Sequence, residues 1–315
     1  MSTHYDAIVV GVGAMGSATL YALAKRGYKV CGIEQFGIAH DKGSSHGESR
    51  LIRKAYFEHP DYVSLLHSSY DEWEQLEKES EQKLFDKNGL LLAGQSDSTL
   101  IQGLKSCYAQ HDLPHEKLDL GDVQKRWPNI NLPVDVDIYY DPIAGYLHVE
   151  NCVREFCQLA KQNGAHLFNR EKVIQWQADA QNPVTVTTNR RKVSADRLII
   201  TCGAWAADLL ESPDIKLDIW RKVLYWYSTP DLKQFQPGSF PSFFVETDEG
   251  GFYGFPAIST AGVKIAEHYH KDSIPHPDRL NREVSEGEDT PVSNFVAQTF
   301  PLLDASPHKS VVCMY

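Results

Sequence analysis

Apolar residues fall in short runs near the start of the chain and at steps of three and four further along, and the alternation of these two patterns outlines its elements. A run over residues 7–10 leads into a glycine turn, a helical stretch over 14–26 and a second strand over 29–33, which predicts a βαβ start with parallel strands. Residues 37–49 are too rich in glycine and polar side chains to form a regular element. From Pro60 a long helix is expected, because Val63, Leu66, Tyr70, Trp73 and Leu76 share one face while Asp71, Glu72, Glu74, Glu77 and Lys78 occupy the other. Apolar runs at 83–85 and 90–93 flank Asn88-Gly89, a hairpin signal. A second helix is expected over 150–163, with Val153, Phe156, Cys157 and Ala160 at helical spacing and Gly164 placed to end it. Strands at 166–168, 173–176, 184–187 and 198–202 then predict a return to the first sheet. Beyond residue 218 the pattern is extended and aromatic, at 223–227, 243–246, 252–255 and 263–266, and an antiparallel second sheet is expected.

The net charge of −11 argues against nucleic acid or anionic membrane as a partner, since such a surface repels polyanions. No stretch approaches the roughly eighteen continuous apolar residues of a membrane span. A signal peptide is not expected either, with Asp6 so close to the start. The six cysteines are scattered without a CxxC pair, so neither a zinc site nor a disulfide framework is indicated, and a reducing cytoplasm is the expected setting. No metal is expected.

Gly11-Val12-Gly13-Ala14-Met15-Gly16 follows a strand and opens a helix, the context a dinucleotide fingerprint requires. Gly11 allows the tight turn, Gly13 lets backbone approach a pyrophosphate, and Gly16 lets the helix pack against the strand. The helix N-terminus then offers free N–H groups and partial positive charge to phosphate. Glu34 ends the second strand, where a carboxylate accepts hydrogen bonds from ribose hydroxyls and repels a 2′-phosphate. These residues alone leave FAD and NAD both open.

The segment Gly43-Ser44-Ser45-His46-Gly47-Glu48-Ser49-Arg50-Leu51-Ile52-Arg53-Lys54-Ala55-Tyr56 resembles monomeric sarcosine oxidases and N-methyltryptophan oxidases, FAD-dependent amine oxidoreductases of the D-amino-acid oxidase-like superfamily. The likeness continues through Lys125-Arg126-Trp127-Pro128, Glu150-Asn151-Cys152, Gly203-Ala204-Trp205, Tyr253-Gly254-Phe255-Pro256, Val263-Lys264-Ile265 with His268, and Val312-Cys313-Met314-Tyr315. The fold this implies is α/β, a Rossmann-like FAD-binding domain interleaved with a second, mainly antiparallel-sheet substrate domain. The expected boundaries are 1–85 and 146–217 for the first, 86–145 and 218–311 for the second, with 312–315 beginning a return to the FAD domain. Members of the family continue for several dozen residues past the Cys-Met-Tyr block, so the resemblance implies that part of the family's flavin sheet and substrate site is missing here.

The same resemblance implies roles for individual residues. Cys313 matches the cysteine joined to the flavin 8α carbon, a role that suits a soft thiolate, although an arbitrary cysteine is more often just a small buried apolar side chain. Arg50 is implied beside the isoalloxazine and Arg53 against the substrate carboxylate, both fitting a guanidinium's fixed charge and forked donors. Ser44, His46, Ser49 and Gly203 are implied to border the cofactor. Lys264, which alternation puts on the opposite face from Val263 and Ile265, is implied to help electrons reach oxygen, while Tyr253, His268 and Tyr315 are implied to line the substrate pocket. The implied activity is oxidation of sarcosine or a similar N-methyl amino acid by a monomer using oxygen, with N-methyltryptophan and pipecolate as alternative substrates. Trp220, Tyr225, Trp226 and Tyr227 are candidates to line a larger pocket. An inert dinucleotide-binding remnant is the competing expectation.

Overall fold

The computed structural model describes residues 4–178, 183–210 and 215–315. Its first sheet has six strands. β1 (His4–Val10), β2 (Val30–Glu34), β9 (His166–Asn169) and β12 (Lys192–Ile200) run parallel, and β10 (Val173–Gln177) and β11 (Val184–Thr188) extend it antiparallel beyond β12. α1 (Ala14–Lys25) connects β1 to β2 and packs against α5 (Val149–Gln162). α5 buries Val149, Cys152, Val153, Phe156, Cys157 and Ala160, the stripe a 3.6-residue period places on one face. Cys152, Val153, Phe156, Cys157 and Ala160 form one apolar cluster with Leu20 and Tyr21 of α1 and Leu76 of α2 (Tyr62–Ser80). Each fully buried Val, Leu or Phe among them contributes about 1.5–3 kcal/mol.

A small sheet joins β3 (Ser49–Ile52), β8 (Gly145–His148) and β4 (Phe85–Asp86). The largest sheet has nine strands, β5 (Leu90–Gly94), β6 (Glu116–Leu118), β7 (Asp137–Asp141), β13 (Ile219–Tyr227), β14 (Ser242–Thr247), β15 (Gly250–Phe255), β16 (Val263–Glu267), β17 (Asp272–Ile274) and β18 (Lys309–Met314). It is antiparallel except where β14 runs parallel to β5. α3 (Thr99–Gln110) and α4 (Leu120–Arg126) lie between its early strands, and α6 (Thr290–Thr299) packs on one face, where Phe295 stacks on Phe252 with ring centroids 4.3 Å apart.

Two expectations are corrected. Asn88-Gly89 is not a hairpin: β4 pairs with β8 and β5 with β7 and β14, so the chain crosses between sheets there. The Asn88 side chain is used in that crossing, its carbonyl accepting from the Ser242 hydroxyl at 3.1 Å. Residues 312–314 do not begin a return to the first sheet. They lie in β18, which pairs antiparallel with β13 from Lys309↔Trp226 to Met314↔Arg221, and the backbone N–H and C=O of Tyr315 continue the ladder with Trp220.

Candidate active site

The βαβ turn opens onto a cavity of about 730 Å³ at the C-terminal ends of β1, β2 and β12, bordered by Gly11, Gly13, Glu34, Ser44 and Gly203 among others. This is the crevice in which open α/β sheets bind ligands. Gly11 has φ +86°, and a Cβ there would stand 2.6 Å from the Thr201 carbonyl oxygen; a Cβ at Gly16 would collide with the carbonyl of Gly11. Gly13 differs. Among the described residues a Cβ there would meet only the Ser45 hydroxyl, at 3.7 Å, so none of them sterically keeps this position bare. Gly13 is the N-cap of α1 and supplies no side-chain cap, which leaves a helix N-terminus open to an anion.

Glu34 is 4% exposed, and its carboxylate accepts from the N–H of Val12 at 2.8 Å and of Phe36 at 2.9 Å, with His40 Nε2 at 3.4 Å. Burial pushes its pKa up, but His40 and the two N–H groups together hold it below the ordinary glutamate value. It is therefore an ionised carboxylate bracing the glycine turn at the cavity wall.

A second cluster forms where β13, β15, β16 and β18 lie side by side. Alternation brings Leu224, Trp226, Ala266 and Cys313 into one apolar group with Tyr253 against it. Cys313 is 1% exposed; its sulfur lies 3.6 Å from Arg50 Nη2 and 4.0 Å from the carbonyl oxygens of Gly43 and Ser44. Arg50, on β3, also donates to the carbonyls of Ser49, at 2.7 Å, and Ser44. Ser45 in turn accepts from the Ala14 N–H of α1 at 3.2 Å. The loop over 43–45 thus spans from the glycine turn to the thiol, bringing residues distant in sequence onto one continuous path.

Lys264 is 2% exposed, and its ammonium donates to the carbonyls of Gly47 at 2.6 Å and Ser49 at 2.9 Å. Burial foremost, then the nearby Arg50 charge, hold its pKa well below the usual lysine value. His46 is buried with its Nε2 unpartnered, and burial pushes its pKa down to about 4, so it is a neutral imidazole. The buried hydroxyl of Ser49 and Nε of Arg53 also lack partners. Buried polar atoms are nearly always bonded, so the orphans of His46 and Ser49, on one segment, fit a bound polar group that satisfies them.

Tyr253, His268 and Tyr315 form an aromatic wall: the Tyr315 hydroxyl donates to that of Tyr253 at 3.1 Å, and the His268 ring centroid lies 5.7 Å from that of Tyr315 and 6.3 Å from that of Tyr253. Burial first, then the Lys222 charge, lower the His268 pKa. Arg53 is held by Glu58 through two contacts of 3.0 Å and lies 4.2 Å from the Tyr56 ring centroid. Tyr225 and Tyr227 do not border this wall; they join the core on the α6 side of the sheet, and the Trp226 indole donates to Glu48. Three charged side chains escaped the sequence reading: Glu48, Glu150, which accepts from the Gly47 N–H at 2.7 Å, and Lys222, buried beside His268. Only folding reveals them, because in sequence each is an unremarkable charge.

The set fits FAD. A bare Gly13 and an open helix N-terminus suit its diphosphate, Glu34 its ribose, and the thiol, two cations and the orphan polar atoms of His46 and Ser49 a ring system further along the path. Comparison with known proteins agrees. The chain is 35% identical over 320 residues to monomeric sarcosine oxidase of Bacillus sp. (strain B-0618), covering 100% of this chain and 82% of that protein. It is 32% identical over 266 residues to N-methyl-L-tryptophan oxidase of Yersinia pestis (strain Pestoides F), covering 84% of this chain and 70% of that protein. The solved structure of NikD in its open form, titled an unusual amino acid oxidase essential for nikkomycin biosynthesis, matches with a TM-score of 0.86 at 25% identity, over 99% of this chain and 82% of that one. L-proline dehydrogenase from P. horikoshii shares the fold, with a TM-score of 0.81 at 17% identity over 100% of this chain and 82% of that one. The model of the DAO family, FAD dependent oxidoreductase, matches residues 6–315, and the chain belongs to that family.

Proposed function

We propose that this chain oxidises a small N-methyl amino acid, sarcosine foremost, to the parent amino acid, formaldehyde and hydrogen peroxide, consuming oxygen and water. The observation that carries this reading is the meeting of Arg50, Cys313 and the 43–45 loop on one path from the glycine turn, with the aromatic wall of Tyr253, His268 and Tyr315 close by. The sarcosine oxidases of Bacillus and Streptomyces avermitilis, 35% and 36% identical over the whole chain, support the same substrate class.

Each residue then has a part. Arg53, whose Nη2 donates to both oxygens of Glu58, exchanges that carboxylate for the substrate carboxylate. Tyr253, His268 and Tyr315 enclose the N-methyl end and exclude water. Arg50 and Lys264 make the site cationic, which disfavours the substrate ammonium and so favours the neutral amine, the form that can give up electrons. FAD, when bound, accepts two electrons from the substrate and passes them to oxygen. Lys264 supplies positive charge where negative charge builds on oxygen. Water then cleaves the substrate imine to amine and aldehyde, so one amine, one oxygen and one water give the parent amino acid, formaldehyde and peroxide. Cys313 would hold FAD by replacing a hydrogen of the 8α-methyl group with its sulfur, the two electrons released being taken by the flavin and passed to oxygen, and the chain acts as a monomer.

Peroxide release from sarcosine, N-methyltryptophan and pipecolate tests the substrate class; folded, yellow protein inert toward every N-methyl and cyclic amino acid overturns it. For attachment, acid-precipitated protein is expected to keep its colour in the pellet and Cys313→Ser to release it. Colour kept by the variant refutes Cys313 as the link.

A further inference from the structure

Glu48 has φ 72°, in the left-handed region that a side chain usually avoids, and it directly follows Gly47 at φ 91°. The chain keeps a glutamate where glycine would sit without strain, so the carboxylate has work to do. One oxygen accepts from the Trp226 indole N–H at 2.9 Å, the other from the Ser259 hydroxyl at 3.1 Å, and the Lys309 ammonium stands 3.6 Å away. The N–H groups of Gly47 and Glu48 donate to Glu150 Oε1 at 2.7 and 3.2 Å. These ties fix a short arch whose two outer carbonyls, of Gly47 and Ser49, turn inward and take the Lys264 ammonium. Glu48 and Glu150 border a separate cavity of about 310 Å³ together with His148, Asn151, Arg154 and Ser259.

Among the described residues Lys264 has no carboxylate within salt-bridge distance, its two hydrogen-bond acceptors being carbonyls. Of the charged and titratable groups that act on it, Arg50 on β3 opposes its charge, while Glu48, Glu150 on α5 and, only as a thiolate, Cys313 on β18 favour it; a thioether at Cys313 carries no charge. A buried ammonium bonded only to neutral carbonyls is costly unless an anion stands near.

We propose that Glu48 is a positioning residue for Lys264: its anchored carboxylate holds the Gly47 and Ser49 carbonyls in place and supplies the negative charge that keeps the buried ammonium protonated. The inference rests on the reading of Lys264 as the cation that promotes oxygen reduction, and it adds a residue that acts through another side chain.

Two variants test it in the flavin-loaded protein. Glu48→Gln keeps the shape and the acceptor for Trp226 but removes the charge, and Glu48→Gly removes both while relieving the left-handed strain. The Lys264 side chain is followed in protein labelled with ¹³C at lysine Cε, its signal assigned by its loss in Lys264→Met. Removing the charge is expected to lower its titration midpoint by about one pH unit. The rate of flavin reoxidation by oxygen is expected to fall off at correspondingly lower pH, with the substrate-driven reduction rate within about twofold of the parent, and Glu48→Asp is expected to restore part of the shift. An unchanged Lys264 titration in both variants overturns the proposal. If the titration moves but Lys264→Met reoxidises as fast as the parent, Glu48 does position Lys264 and the oxygen role of Lys264 is what falls.

Discussion

The three fingerprint glycines make different demands, and alanine substitutions separate them. At Gly16 a Cβ collides with the Gly11 carbonyl and approaches Thr201 Oγ1 to 2.7 Å, so helix and strand must part. Overpacking of this kind costs about 1–3 kcal/mol, offset by up to about 1 kcal/mol of improved helix propensity. A net loss of about 1–2 kcal/mol lowers the melting temperature by several degrees. At Gly13 the backbone lies at φ −77°, ψ −154°, open to any residue, and the nearest heavy atom would be 3.7 Å away. Gly13→Ala is therefore expected to leave stability within about 0.5 kcal/mol of the parent. Its methyl group instead occupies the space a diphosphate needs. Losing one charge-assisted hydrogen bond, worth about 1.5–3 kcal/mol, raises the FAD dissociation constant roughly 10- to 150-fold. Both substitutions are made in the Cys313→Ser background so that the cofactor can be removed, and read by melting of the cofactor-free protein and by quenching of FAD fluorescence on titration. Equal loss of stability at both positions, or unchanged FAD affinity in Gly13→Ala, refutes the assignment of this turn to the diphosphate.

Two further outcomes follow from charged groups near the site. Glu58→Gln frees Arg53 from a half-exposed ion pair worth up to about 1 kcal/mol, so steady-state kinetics are expected to show KM for an N-methyl amino acid reduced as much as about fivefold with kcat little changed. Asp141 is 2% exposed, and burial pushes its pKa up from 3.8 to about 6, only partly opposed by the N–H groups of Ile143 and Ala144. The folded state holds this proton more tightly than the unfolded chain, so the associated stability is full below about pH 3.8 and is lost as pH rises through about 6. Asp141→Asn keeps an acceptor for both N–H groups. Thermal melts against pH are expected to show it more stable than the parent by up to about 3 kcal/mol at pH 8 and no different below pH 4.

The first strand, glycine turn and α1 were legible because a local pattern determines them: the apolar run, the turn glycines and the following helix period all sit within thirty residues. The aromatic strands of the large sheet were legible as strands for the same reason. Their partners were not. Asn88-Gly89 carries a hairpin signature, yet the small sheet and the large sheet compete for the flanking runs, and side-chain bonds from Asn88 to the β14 region accompany the crossing. Arg50, Lys264 and Cys313 could be singled out only through resemblance, since nothing in their immediate neighbours distinguishes a site cation from a surface one. Glu48 lies inside the segment that carries the resemblance, yet its significance is a backbone angle and two distant partners, neither visible in a linear string.

The parallel pairing of β14 with β5 brings together segments about 150 positions apart, and the intervening chain leaves to build most of the first sheet before it comes back. Neither half can be cut free as a contiguous fragment: a clone ending near residue 140 would carry three strands of the large sheet without their neighbours. Such wiring makes assembly slow, since the distant pairing must wait for loop closure.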